Sequence, residues 1–357
     1  MLASAVVAGT LAACAAPGPG TIGAYLDDVL PAGSSGTLVA ATDDGTVVCR
    51  GWGDADRERG VAADCDTVYD VMSMTKQFTA AAIVRLEQDG RLSTTDALAQ
   101  HLPGVPPDKR GITIRQLLTH TSGLPDTVGE DDERLTRDAF LDRALAADLV
   151  TPPGEGYLYS NVGYGVLAAV VETASGTGYE TYLAEHLFAP AGMTSTGYVL
   201  PDWSGREVAV EYDADGEPAG TPLDHPWLDD GPGWNLRGNG GLLSTARDMA
   251  RWHRALGTDR VLDADARREL FAPRVREEPE DSRYAYGWVV DEIGDGTALW
   301  HNGGDGRAYG ETARDPDGSA AVFWVANQAR STAGGWDLEE SGTDLTAGVL
   351  DRLRRAG

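Results

Sequence analysis

Ser73-Met74-Thr75-Lys76 sets a hydroxyl three residues before an amine. On a helix, positions i and i+3 share a face, so the Lys76 amine reaches the Ser73 oxygen. A hydroxyl is a weak nucleophile until a neighbouring base takes its proton, and a desolvated lysine serves as that base. With 15 serines and two lysines in the sequence, about 0.08 chance matches to S-x-x-K are expected. The plain alternative is a capping serine beside a surface lysine. Tyr159-Ser160-Asn161 adds a phenol and an amide. A tyrosine beside an ammonium has its pKa lowered and relays a proton to a leaving group. An asparagine amide bonds both the lysine and a substrate carbonyl. The alternative is a core tyrosine at a helix start, with Ser160 or Asn161 as the cap. His301-Asn302-Gly303-Gly304 follows a strand-like run, and glycines there let an edge strand approach a substrate closely. About 0.8 chance matches to H-x-G are expected, so this motif gains meaning only from its order behind the other two.

The elements that must position these groups read as an α/β chain, α+β mixed. Thr21–Leu30 predicts a short helix, and Thr37–Trp52 predicts a hairpin around Asp43-Asp44-Gly45. From Met74 to Asp89, Phe78, Ala82 and Leu86 recur every four residues and Gly90 ends the run, which predicts a helix. Helical patterns recur at Thr113–Leu118, Arg137–Ala147, Asn161–Ala174, Thr245–Leu256 and Leu338–Arg355, the last with Leu345, Val349 and Leu353 on one face. Tyr284–Asn327 reads as successive strands. Strands at both ends with helices between predict one mixed sheet interrupted by a helical lobe. The expected organisation is a leader and tether over 1–21, a sheet lobe from 22–72 and 265–357, and a helical lobe with substrate loops over 73–264. Pro201–Gly240 lacks periodicity and is rich in Gly, Pro, Asp and Trp, as a functional loop is; Trp203, Trp227 and Trp234 are candidates to wall a pocket.

Composition narrows the partners. The net charge of −27 argues against nucleic acid, whose phosphates demand a basic patch. Leu11-Ala12-Ala13-Cys14 follows an apolar, uncharged run and resembles the lipobox of bacterial lipoproteins, which implies export and lipidation at Cys14. The membrane is then met only through a lipid anchor. Cys49 and Cys65 remain as an even pair, expected as a disulfide in an oxidising compartment. Gly18-Pro19-Gly20-Thr21-Ile22-Gly23 matches G-x-G-x-x-G but follows no strand. G-x-S-x-G, H-E-x-x-H and C-x-x-C are absent, so neither a nucleophile elbow nor a zinc site is expected. No metal or cofactor is expected, and His120, His225 and His253 are read as structural.

In order and at these separations, the three motifs resemble those of the serine β-lactamase and penicillin-recognising hydrolase family, in its class C β-lactamase, D-aminopeptidase and esterase branch. The resemblance covers about Gly23 to Arg355. It extends to Leu117-Leu118-Thr119-His120-Thr121-Ser122-Gly123-Leu124, to Pro153-Gly154, to Ala191-Gly192-Met193, and to the segment from Gly240 to Asp248. It implies an antiparallel sheet flanked by helices with an inserted all-helical lobe. It further implies acylation of Ser73, base and acid duties shared by Lys76 and Tyr159, and substrate contacts from Asn161, His301, Gly303 and Gly304. The implied oxyanion hole is the pair of backbone N–H groups of Ser73 and Gly304. Many β-lactamases carry Lys-Thr-Gly in the third motif. A histidine there, with an unperturbed pKa of about 6.5, is mostly neutral at pH 7 and offers less fixed charge to a substrate carboxylate. Arg307 lies six residues on and is a candidate to restore that charge. The resulting expectation is a monomeric serine hydrolase acting on small esters, amides or short D-amino-acid peptides. The alternative is a penicillin-recognising sensor or scaffold that acylates without turnover.

Overall fold

Small and β-branched residues over 36–52 pair as strands β1 (Gly36–Thr42) and β2 (Gly45–Trp52). The computed structural model describes residues 20–356; the expected lipid site, Cys14, and the rest of the leader up to residue 19 lie outside them. Six further strands follow late in the chain: β3 (Val275–Arg276), β4 (Arg283–Tyr284), β5 (Val289–Ile293), β6 (Gly296–Gly304), β7 (Tyr309–Arg314) and β8 (Ala320–Ala326). They form one eight-stranded sheet in the order β2-β1-β8-β7-β6-β5-β4-β3. Every pairing in it is antiparallel, as the family resemblance implies and unlike the mixed sheet expected from element order alone. The hairpin β1–β2 joins the late strands by pairing β1 with β8, Gly36 opposite Ala326.

The central strand β8 is buried along its whole length, and its side chains divide by the period of two. Phe323 and Val325 enter one core, with the helix Ala246–Ala255 and the helical lobe. Val322 and Trp324 enter a second core, against the terminal helices Ile22–Val29 and Leu338–Ala356. There Leu345, Val349 and Leu353 form the expected apolar face, and Trp324 Nε1 donates to Thr346 Oγ1 at 2.8 Å. Each large apolar side chain so buried contributes roughly 1.5–3 kcal/mol.

The helix Lys76–Gln88 runs through the first core and is buried almost all round, from Phe78 and Ile83 to Leu86. A second central helix, Asn161–Ser175, is capped by Ser160, whose oxygen accepts the Gly163 N–H at 3.0 Å, and ends at Gly176 with φ +79°. Two helical stretches lack a counterpart in the sequence reading: the run from Tyr179 to Ala191, and Ala264–Phe271, capped by Asp263. The loops between 201 and 240 contain a small ladder, Glu211–Tyr212 with Pro218–Gly220, one short turn at Pro222–Asp224, and isolated bridges at Val208, Leu228–Gly231 and Arg237–Gly240. Cys49 and Cys65 are joined by a disulfide, Cα atoms 6.0 Å apart. Among the described residues no helix is long and apolar enough to cross a membrane.

Candidate active site

Ser73 sits on a constrained turn. The short strand Val68–Asp70 pairs with Leu243–Thr245, and the chain then enters the turn Met72–Thr75 that leads into the helix Lys76–Gln88. Met72 holds φ +49°, a conformation costly for a side chain of this size. It is held there by burial and by Asp70 Oδ1, which accepts the Met72 N–H at 2.6 Å. Strand β6 closes on the same turn. A Cβ on Gly303 would lie 2.9 Å from Ser73 N and 2.8 Å from Met72 Cβ, so only glycine lets the strand come this near.

Two groups converge on Ser73 Oγ. Lys76 Nζ lies 3.0 Å from it and also donates to Asn161 Oδ1 at 2.7 Å and to the Asn239 carbonyl at 2.9 Å. Tyr159 OH donates to Ser73 Oγ at 3.1 Å. Lys76 is fully buried, and burial lowers its pKa to about 7 against the opposing pull of Asp126 and Asp131. A large fraction of Lys76 is therefore the free amine near neutrality, as a general base requires. Asn161 is fixed from the other side: Asp126 Oδ1 accepts its Nδ2–H at 3.0 Å and its backbone N–H at 3.2 Å.

Tyr159 differs from expectation. Its pKa is raised, chiefly by burial, because desolvation of the phenolate outweighs the hydrogen bond with Ser73. Burial thus favours the neutral phenol, which donates its proton to Ser73 Oγ. His301 lies inside the fold beside these groups. Its ring is buried, with Nε2 3.1 Å from Tyr284 OH and Nδ1 2.6 Å from the Asn302 carbonyl. Both ring nitrogens are thus engaged away from the cleft, and burial, then Lys76, lower its pKa to about 3. The side chain does not line the cleft and packs beside Tyr159, ring centroids 6.5 Å apart. Gly303 likewise meets the Ser73 turn instead of the cleft wall.

Above Ser73 opens a cleft of about 640 Å³. Ser73, Asn161, Gly304 and Arg307 line it, as does Trp227. The other two tryptophans do not: Trp234 is buried beside Phe140, and Trp203 packs on the small cluster of Val68, Val208 and Leu243. Six carboxylates line the same cleft, those of Asp70, Asp126, Glu130, Asp131, Asp132 and Asp305. Against them stand Arg307 and His225, and His225 Nδ1 already lies 3.1 Å from Asp132 Oδ1. Burial and then Glu211 push the Asp70 pKa well up, and burial and then Asp132 push Asp131 up. A larger cavity, about 950 Å³, lies between the N-terminal helix, the hairpin and the C-terminal helix, far in sequence from these groups and with none of them in its lining. Among the described residues no cluster of His, Cys, Asp or Glu is set to hold a metal ion.

The sequence reading missed Asn239, Asp126 and Asp131. Asn239 acts through its backbone carbonyl, which has no residue signature; its only signal is the neighbouring Gly240-Gly241 segment.

Residues 26–339 match the Beta-lactamase family. The chain is 29% identical over 318 residues to penicillin-binding protein 4* of Bacillus subtilis (strain 168), a match covering 84% of this chain and 69% of that one. Its fold superposes with a TM-score of 0.78 on the D-amino acid amidase from Ochrobactrum anthropi SV3 complexed with D-phenylalanine, at 23% identity, covering 94% of this chain and 98% of the amidase. The octameric penicillin-binding protein homologue from Pyrococcus abyssi gives 0.78 at 22% identity, covering 93% of this chain and 75% of that one. At these identities the two structures establish likeness of fold.

Proposed function

This chain belongs to the Beta-lactamase family and is a serine hydrolase, and we propose that it works through an acyl-enzyme on Ser73, with amine-bearing amides, short D-amino-acid peptides and small esters as substrates. The observation that carries the mechanism is the convergence of Lys76 Nζ and Tyr159 OH on Ser73 Oγ, at 3.0 and 3.1 Å. Neutral Lys76 takes the Ser73 proton as Oγ attacks the substrate carbonyl carbon. The N–H groups of Ser73 and Gly304 receive the developing oxyanion. Tyr159 donates its proton to the leaving amine or alkoxide, and the proton held by Lys76 restores it. Water from the cleft then attacks the ester on Ser73 by the same path in reverse, releasing the acid. Asn161 keeps one N–H free for the substrate carbonyl, since its oxygen is committed to Lys76 and its other N–H to Asp126.

The six carboxylates of the cleft, facing only Arg307 and His225, support an ammonium-bearing substrate over a carboxylate-bearing one by charge complementarity. The test is a panel of D- and L-amino-acid amides with free and acetylated amino groups, p-nitrophenyl butyrate and nitrocefin. The reading expects turnover, with free-amine D-substrates favoured over their acetylated forms. A preference for the acetylated or anionic compounds overturns the substrate class, and a stoichiometric burst without turnover favours the sensor. All the groups in the mechanism come from one chain, which supports a working monomer, read by light scattering. The lipobox-like segment supports export with a lipid on Cys14: Cys14→Ser then shifts the protein from the membrane fraction to the medium, and a wild type found wholly in the medium contradicts the anchor.

A further inference from the structure

The contacts of His120 lead to Tyr159. The His120 carbonyl accepts the Leu158 N–H at 2.7 Å, and its ring Nδ1 accepts the Ser160 N–H at 3.0 Å. One residue therefore holds both chain neighbours of Tyr159. The His120 ring also lies against the Tyr159 ring, centroids 4.4 Å apart and planes at 32°. This grip depends on an uncommon backbone conformation. His120 ends the short helix Ile114–Leu118 and its following residue at φ +56°, in the left-handed region. The turn is closed by the Thr121 N–H, which donates to the Gln116 carbonyl at 2.9 Å, and it directs the carbonyl and ring of His120 to the same segment.

The chemistry of the ring fits a fixed clamp. A nitrogen that accepts from a backbone N–H carries no proton, so the neutral imidazole holds its proton on Nε2. Nε2 finds no hydrogen-bond partner among the described residues; the rings of Tyr157, Tyr164 and Tyr284 surround it. Burial holds its pKa well below the ordinary value and keeps the ring in this neutral form. Tyr159 itself lies in irregular chain just before the cap of the helix Asn161–Ser175, so no ladder of its own fixes its hydroxyl.

We propose that His120 is a positioning residue for the reaction, gripping the chain on both sides of Tyr159 so that the phenolic oxygen stays within hydrogen-bond distance of Ser73 Oγ. The inference rests on the proton relay through Tyr159. A displacement of about 1 Å at a catalytic group costs on the order of 100-fold in rate, which sets the scale of the effect.

Two substitutions suit the left-handed backbone. His120→Asn keeps a short acceptor for the Ser160 N–H, and His120→Gly removes acceptor and ring together. Each is made in the wild type and in Tyr159→Phe, checked by thermal unfolding, and assayed on a chromogenic ester after active-site titration with a fluorophosphonate. In the wild-type background H120G should lose about 30- to 100-fold in kcat with KM changed less than about twofold, and H120N should stay within about fivefold of wild type. In the Tyr159→Phe background H120G should cost less than about threefold more, because the hydroxyl it positions is gone. Where H120G does not fold, His120→Phe, which keeps a ring without the acceptor, supplies the same comparison. Equal losses in the two backgrounds mean that His120 acts on the fold at large and overturn the proposal. A fully active H120G beside an inactive Tyr159→Phe overturns it alone, whereas a fully active Tyr159→Phe overturns the relay and this role together.

Discussion

Replacing Lys76 by methionine removes the proposed base and a buried cost in one step. Burial holds the Lys76 pKa at about 7, against 10.5 in solvent. Between these values the unfolded chain binds one proton more than the folded chain, so stability rises with pH across that window. Below pH 7 both states carry the proton and the full cost stands; above about pH 10.5 neither does, and the cost is gone. The span corresponds to about 5 kcal/mol of destabilisation at low pH. Methionine fills similar space but leaves Asn161 Oδ1 and the Asn239 carbonyl without their donor. Each such loss costs about 1–3 kcal/mol, so the net change in stability at one pH is small. The pH dependence is the clear signal. Relative to Lys76→Met, the wild type should gain about 2 kcal/mol between pH 7 and pH 9. Urea unfolding of the two proteins in parallel at pH 7, 8 and 9 reads this difference, because titrating groups that do not interact with Lys76 cancel. Turnover of the variant should fall at least 10²- to 10⁴-fold, the usual worth of a positioned base. A stability difference that stays constant from pH 7 to pH 9 would refute the reasoning, since Lys76 would then enter the folded protein as a permanent ammonium.

Three further outcomes follow from the same geometry. In the wild type, kcat/KM should rise with pH through about 7 as Lys76 loses its proton and then level off; the lowered pKa of His301, about 3, adds no step between pH 5 and 8, and such a step would contradict the burial of that ring. Gly303→Ala places a Cβ against Ser73 N and Met72 Cβ, where backbone cannot yield, so kcat should drop about 100-fold; near-normal kinetics would show that β6 does not set the nucleophile. Cys65→Ser opens a cross-link between positions 16 residues apart, which should cost about 3 kcal/mol in the chain-entropy model, read by urea unfolding under oxidising conditions; an unchanged midpoint would contradict a stabilising bridge.

The chemistry-bearing spacing was the most legible part of the sequence. Ser73 and Lys76 meet because a three-residue offset on one helical turn is a local property, and the chain has one other lysine. The hairpin β1–β2 and the terminal helix were legible for the same reason, since their apolar periods are local. The antiparallel character of the whole sheet came only from the family resemblance and not from local pattern, because β1 reaches β8 across nearly the full chain. Burial was equally hidden. The direction of the Tyr159 pKa is decided by desolvation, and the solvent-excluding partners come from distant segments, His120 and His301 among them. The same holds for His301, whose neighbour Tyr284 lies on another strand. The helical run from Tyr179 to Ala191 starts at Gly178 without a side-chain cap and contains Pro190, so its local signals oppose the packing that forms it.

The acyl-enzyme itself is the most direct test. Purified protein is mixed with a slowly released acyl donor, quenched in acid within seconds, and digested for peptide mass spectrometry. A mass increase equal to the acyl group on Ser73, in the peptide that ends at Lys76, is the predicted result; it should be absent from Ser73→Ala, which should also lose turnover by several orders of magnitude. Acylation at another residue, or turnover that survives in Ser73→Ala, would contradict the account.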